Sequence, residues 1–142
     1  ACAKPFELAK SVTVKKSKGS AVAIISYGTV LTEALKAAAL LAEKKVPVDV
    51  INARFAAPVD EKINTLLRRG KRIVTVEDHA VACGFGSAVL EMAAAKGYSP
   101  RNVRFLGAPR RFIGHNSRDA QLMEAGVDAD SMAETVRTML KA

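Results

Sequence analysis

Four short β-rich runs recur along this chain, each followed by a longer stretch with helical spacing. That alternation constrains the fold more than any other feature. The runs are AVAIIS (21–26), VPVDVINA (46–53), RIVTVED (72–78) and NVRFLGA (102–108). A run such as AVAIIS, apolar without alternation, is what a strand buried on both faces requires. Between the first two lies TVLTEALKAAALLAEKK (29–45), with Leu31, Ala34, Leu35, Ala38 and Leu41 at helical spacing and Lys44 and Lys45 at its end, where cations suit the helix dipole. Asp60 is placed to cap EKINTLLRRG (61–70), which Gly70 closes. SAVLEMAAAKG (87–97) supplies another helix, and two more helical stretches end the chain, with Ser131 and Glu134 at capping-box spacing before the last. Crossovers of about twenty residues between strands mean parallel βαβ units. The expected fold class is α/β, a three-layer α/β/α sandwich on a mostly parallel sheet. SVTV (11–14) reads as a possible edge strand within a lysine-rich lead-in over 1–20, and 21–142 reads as the domain proper. The lead-in has the character of a joint to an upstream part of a longer chain.

A chain of 142 residues suits one domain with its own core. No apolar run approaches the ~20 residues of a membrane span. ACAKPFELAK carries no apolar signal core, and two cysteines make no disulfide framework, so the expected setting is reducing and cytoplasmic, with no membrane partner. The formal charge of +8 raises the question of nucleic acid. The basic residues are dispersed, however, Trp is absent, and no nucleic-acid motif is present. The charge is therefore read as solvated surface or inter-domain docking, with no nucleic-acid partner.

The chemistry-bearing stretch is VEDHAVACGFGS (76–87). A cysteine nucleophile needs an imidazole within hydrogen-bond reach, itself oriented by a third group. His79, with Glu77 or Asp78, could supply these, but Cys83 is better read as a small residue in a tight turn. The histidines, cysteines and acids show no recognised metal-ligand spacing. Gly84 and Gly86 could let a phosphate approach a helix N-terminus. The dinucleotide pattern G-x-G-x-x-G fails, because position 89 is Val, and no P-loop lysine follows. Gly84 and Gly86 are therefore taken as structural, permitting positive φ and close helix packing, and Gly28 in SYGT (26–29) marks the other strand-to-helix turn. Both turns should lie at the C-terminal ends of parallel strands, where open α/β sheets bind ligands. The loop PRRFIGHNSRD (109–119) gathers Arg110, Arg111, His115, Asn116 and Arg118, a set suited to docking or to an anion.

The order VAIISYGT, VDVINARFAAPVD, VTVEDHAVACGFGSAVLE, LGAPRRFIGHNS, AGVDADSM resembles the C-terminal domain of the transketolase family of thiamine-diphosphate enzymes. Within that family it is most similar to the 1-deoxy-D-xylulose-5-phosphate synthases, ahead of transketolase itself or the β subunits of 2-oxo-acid dehydrogenases. The resemblance runs from about residue 12 onward. One departure is visible: the synthases usually read Gly-Gly-Phe-Gly-Ser where this chain has Cys83 in the first position. The resemblance implies a five-stranded mixed sheet with an antiparallel edge strand near SVTV. It implies a supporting domain with no catalytic, cofactor-binding or metal residue of its own. Thiamine diphosphate and magnesium would belong to the full-length parent, whose Gly-Asp-Gly cofactor motif is absent here. The parent would condense pyruvate with glyceraldehyde 3-phosphate, releasing carbon dioxide. Its implied partners are the upstream domains and, at full length, a second subunit in a homodimer. Two other readings stay open: a stand-alone phosphate- or nucleotide-binding module using Gly28 and Gly86, and one component of a split enzyme.

Overall fold

In the computed structural model, which describes residues 6–141, the apolar runs form one sheet. Its strands are β1 (Val12–Lys15), β2 (Val22–Tyr27), β3 (Val48–Asn52), β4 (Arg72–Ala80) and β5 (Val103–Ala108). They lie in the order β1-β3-β2-β4-β5. β2 is central and pairs parallel with β3 and β4, β4 pairs parallel with β5, and β1 closes the far edge antiparallel to β3. This is the α/β class and the mixed five-stranded sheet that the resemblance implied, with the antiparallel edge where SVTV stands.

Both faces of the sheet are covered, which explains why β2 is apolar throughout. Val22 and Ile24 point into a core shared with α1 (Leu31–Glu43) and α5 (Ala129–Lys141). Ala23 and Ile25 point into a second core with α2 (Glu61–Arg68) and α3 (Phe85–Ala95). Fully burying an Ile or Val contributes about 1.5–3 kcal/mol, and these four positions are wholly inaccessible to solvent. α4 (Arg118–Ala125) differs from the other α-helices in having no buried residue.

The helix boundaries follow from their caps. Asp60 caps α2 as expected, accepting from Lys62 N–H at 2.9 Å, and Gly70 beyond its end takes a left-handed φ of 69°. The Asp60 carboxylate also accepts from the N–H and hydroxyl of Ser11, both at 2.6 Å, which ties the start of β1 to α2. Three local expectations are corrected. α5 is capped by Asp128, whose carboxylate accepts from the N–H groups of Asp130 and Ser131, so Ser131 lies inside the helix rather than at its cap. Lys44 and Lys45 fall just beyond α1, and Leu35 is on its solvent side. A glutamate at 33 and lysines at 36, 44 and 45 solvate a face that four buried residues, Ala34, Ala37, Ala38 and Leu41, leave free.

Candidate functional site

Three connections meet beyond the C-terminal ends of the parallel strands: β2 to α1, β4 to α3, and β5 to α4. Each contains residues singled out from the sequence, and two adjacent carboxyl groups at the end of β4 organise them.

Glu77 is fully buried, facing α3. Its two oxygens accept from the first N–H groups of that helix: Oε2 from Phe85 at 2.7 Å and Oε1 from Gly86 at 2.9 Å. These donors have no partner within a helix, so a buried helix start must find one elsewhere. An acidic group there also complements the helix dipole. The arrangement explains both glycines. A β-carbon on Gly84 would overlap the Glu77 carboxyl and lie 2.6 Å from the carbonyl oxygen of Ala80. One on Gly86 would lie 2.7 Å from the Phe105 ring. Neither residue has positive φ, which corrects half of the sequence expectation: close approach is the reason for the glycines. The left-handed position in this turn belongs to Cys83, at φ 62°. That is where the resembled synthases usually carry glycine.

Asp78 points to the other side of the sheet. Its Oδ2 accepts from the Thr29 N–H at 2.8 Å and the Thr29 hydroxyl at 2.6 Å. Burial pushes the Asp78 carboxyl up, but these hydrogen bonds together outweigh it and hold the group below the usual carboxylate range. Gly28 takes φ 85°, and a β-carbon there would lie 2.5 Å from Asp78 Oδ1. Here both the turn and the close approach require glycine. From α4, the Arg118 guanidinium donates to the Thr29 hydroxyl oxygen, so Arg118, Thr29 and Asp78 link three connections. A cavity of about 230 Å³ lies beside them, lined by Glu77, Asp78, Arg118, Gln121, Ile113 and Leu122 among others.

This geometry bears directly on ligand binding. The N–H groups that could receive a phosphate at α3 already hold Glu77, and the Thr29 N–H holds Asp78. An anion arriving at the turn before α3 would meet the Glu77 carboxyl group instead of free donors, so that turn does not fit a phosphate or nucleotide cradle, and one arriving at Gly28 would meet the Asp78 carboxyl group. A nucleophilic pair is not assembled either. His79 Nδ1 lies 3.1 Å from Glu77 Oε2 and its ring packs edge-on against Tyr27. Cys83 is exposed, and its N–H donates to the Ser87 hydroxyl. Among the described residues, no group of three His, Cys, Asp or Glu side chains could hold a metal ion. No helix of the described residues is long and apolar enough to cross a membrane.

The basic loop is only partly gathered. Arg111 pairs with Glu124 of α4, and Asn116 Oδ1 accepts from Ser117 N–H. Arg110 borders a separate apolar hollow with Leu90, Phe105 and Pro109, and His115 faces solvent. Thr29 and Gln121 were not singled out as site residues from the sequence, and Asp78 was considered only as a possible partner of His79. The signal for Asp78 was its place beside Glu77 at the end of a strand, where side chains alternate between faces. Nothing in the sequence marks Thr29 as its partner.

Comparison with known proteins gives a consistent picture. The family model described as "Transketolase, C-terminal domain" matches residues 11–132. The chain is 40% identical over 124 residues to a 1-deoxy-D-xylulose-5-phosphate synthase of Geobacillus sp. (strain WCH70), covering 87% of this chain and 20% of that protein. The synthase of Geobacillus thermodenitrificans (strain NG80-2) is also 40% identical, over 123 residues, with 86% of this chain and 20% of that protein covered. The chain thus spans about a fifth of the length of these curated relatives. A solved structure titled "Split gene transketolase, inactive beta4 tetramer" superposes with a TM-score of 0.83 at 27% identity, over 99% of this chain and 44% of that one. With its sheet order, its glycine turn and a family match over most of its length, the chain belongs to the transketolase C-terminal domain family.

Proposed function

We propose that the chain is the C-terminal domain of a thiamine-diphosphate-dependent 1-deoxy-D-xylulose-5-phosphate synthase, a transferase of isoprenoid-precursor synthesis, and that its work there is structural. The observation that carries this reading is the 40% identity to such synthases over 87% of the chain. The parent would condense pyruvate with glyceraldehyde 3-phosphate and release carbon dioxide, in the cytoplasm, with thiamine diphosphate and magnesium held by its other domains. The geometry supports a non-catalytic role for this part. Glu77, Asp78, Asp60 and the buried Asp49 of β3 are each engaged by donors of the fold itself, so none of these four carboxyl groups stands free for catalysis. Arg110, Arg111, His115, Asn116 and Arg118 would form the face that meets the remainder of the enzyme dimer.

A second reading is favoured by the split-gene neighbour: the chain would be one component of an enzyme whose catalytic domains lie on another polypeptide. Both readings make one prediction for the chain alone. Titration calorimetry with thiamine diphosphate and magnesium should show no saturable heat, and mixing with the upstream synthase domains should restore carbon dioxide release from pyruvate and glyceraldehyde 3-phosphate. Micromolar cofactor binding by the chain alone would overturn both.

A further inference from the structure

A fourth connection, from β3 to α2, opens at the same end of the sheet, where open α/β folds bind ligands. Val12 pairs with Asn52, so the start of β1 lies there too. The cavity beside Asp78 is lined by two acids and one arginine. A cleft of about 390 Å³ between β1 and the fourth connection reverses that balance, with Lys10, Arg54 and Lys62 lining it against one acid, Glu7. A cleft of this volume suits a small molecule.

The three cations come from different parts of the chain. Lys62 stands in the first turn of α2, and its Nζ donates to the Thr13 hydroxyl of β1 at 2.5 Å, which draws the ammonium across the cleft. Arg54 belongs to the ARFAAPVD stretch and takes a left-handed φ of 62°. Asn52 Oδ1 fixes that turn by accepting from the Arg54 N–H at 3.0 Å. The Arg54 guanidinium lies over the Phe6 ring, 4.4 Å from its centroid, which orients the planar fork. Lys10, just before β1, is near enough to Asp60 to favour its charged form. Asp60 also accepts from Ser11 and from the Lys62 N–H, so this nearby carboxyl is engaged within the fold.

We propose that the cleft binds the phosphate group of a small molecule, with Arg54 presenting its fork to two oxygens and Lys10 and Lys62 balancing the charge. Non-glycine residues held in left-handed conformation cluster at ligand clamps, and an oriented guanidinium matches phosphate geometry. The turn before α3 fails as an anion site because Glu77 holds its donors, whereas here side-chain cations line the opening. Inorganic phosphate and a phosphate monoester share this chemistry. The site lies within this chain, so it goes beyond the synthase reading and does not depend on it.

Amide NMR titration of the chain tests it, with sodium phosphate and with glycerol phosphate, each against sodium chloride at matched ionic strength. Saturable shifts are expected at residues 10–13, 54 and 62. Tighter binding of glycerol phosphate would identify a monoester as the ligand, and equal or weaker binding would identify inorganic phosphate. Arg54→Asn tolerates the left-handed turn and should weaken binding about tenfold, as should Lys62→Gln. Lys36→Gln, on α1 and paired with Glu33, should leave binding unchanged. Thermal melts verify that each variant is folded. No saturable shift, shifts spread evenly over lysines outside the cleft, or a folded Arg54→Asn/Lys62→Gln double variant that binds like the parent would overturn the proposal.

Discussion

At the residue scale, the turn after β4 is governed by one carboxyl group, and replacements around it should behave accordingly. Glu77→Gln keeps the shape but turns one acceptor into a donor. Either the Phe85 or the Gly86 N–H would then face an NH₂ group in a site closed to water. An unsatisfied buried donor costs about 1–3 kcal/mol, so the variant should melt lower by roughly 2–4 °C per kcal/mol for a domain of this size. Calorimetric melts check this, and an unchanged melting temperature would show that Glu77 is not the cap. Cys83→Gly runs the other way. A non-glycine residue at φ 62° carries left-handed strain, while glycine carries a larger unfolded-state entropy. The difference leaves the glycine variant neutral or about 1 kcal/mol more stable. A marked loss of stability would mean that the sulfur makes a contact the turn depends on.

At the element scale, the alternation of β-rich runs and helical stretches was enough to place every major strand and helix, because a doubly covered parallel sheet writes its burial directly into composition. Caps were legible where one side chain was the sole contender. Asp60 was found because nothing nearby competes with it. Asp128 was not, because Ser131 three residues later offers a spacing that also satisfies a capping box. The site was legible as a place, at the C-terminal strand ends, but not as a network. Thr29 and Asp78 are 49 residues apart, and only the register of β2 against β4 brings their ends together. The glycines at 84 and 86 were recognised as structural but for a partly wrong reason, since what crowds them is the end of β4, at Glu77 and Ala80, and Phe105 of the neighbouring β5. The Asp60 cap yields a prediction that joins two elements. Asp60→Ala removes the α2 cap together with the tie to Ser11 and should cost about 1–2 kcal/mol, at the upper end of cap losses. Hydrogen exchange should rise in both α2 and β1. Exchange rising in α2 alone would show that the Ser11 tie contributes nothing.

At the scale of the whole molecule, three aspartates make stability depend on acid. For Asp49, Asp60 and Asp78 alike, burial pushes the carboxyl up, and accepted hydrogen bonds outweigh burial and hold it below the ordinary value. The bonds come from Lys16 and Ser17 for Asp49, from Lys62 and Ser11 for Asp60, and from Thr29 for Asp78. In the unfolded chain the same groups return to about 3.9. Between each depressed folded value and about 3.9 the unfolded chain binds more protons, so stability must fall as pH falls through that window. The contribution of the three is fully present above the unfolded value and is lost below the folded ones. The chain should therefore melt at a nearly constant temperature from neutrality down to about pH 5, then less and less stably below about pH 4. Self-repulsion adds to this, because protonating carboxylates raises a charge that is already +8. Added salt separates the two effects, since it screens surface repulsion far more than buried hydrogen-bonded groups. Replacing Asp49, Asp60 and Asp78 together by Asn should lower stability at neutral pH and flatten its dependence below pH 4, whereas Glu91→Gln on the exposed side of α3 should do neither. Melts of the triple variant that fall with acid as steeply as those of the parent, at high salt, would assign the acid response to other groups.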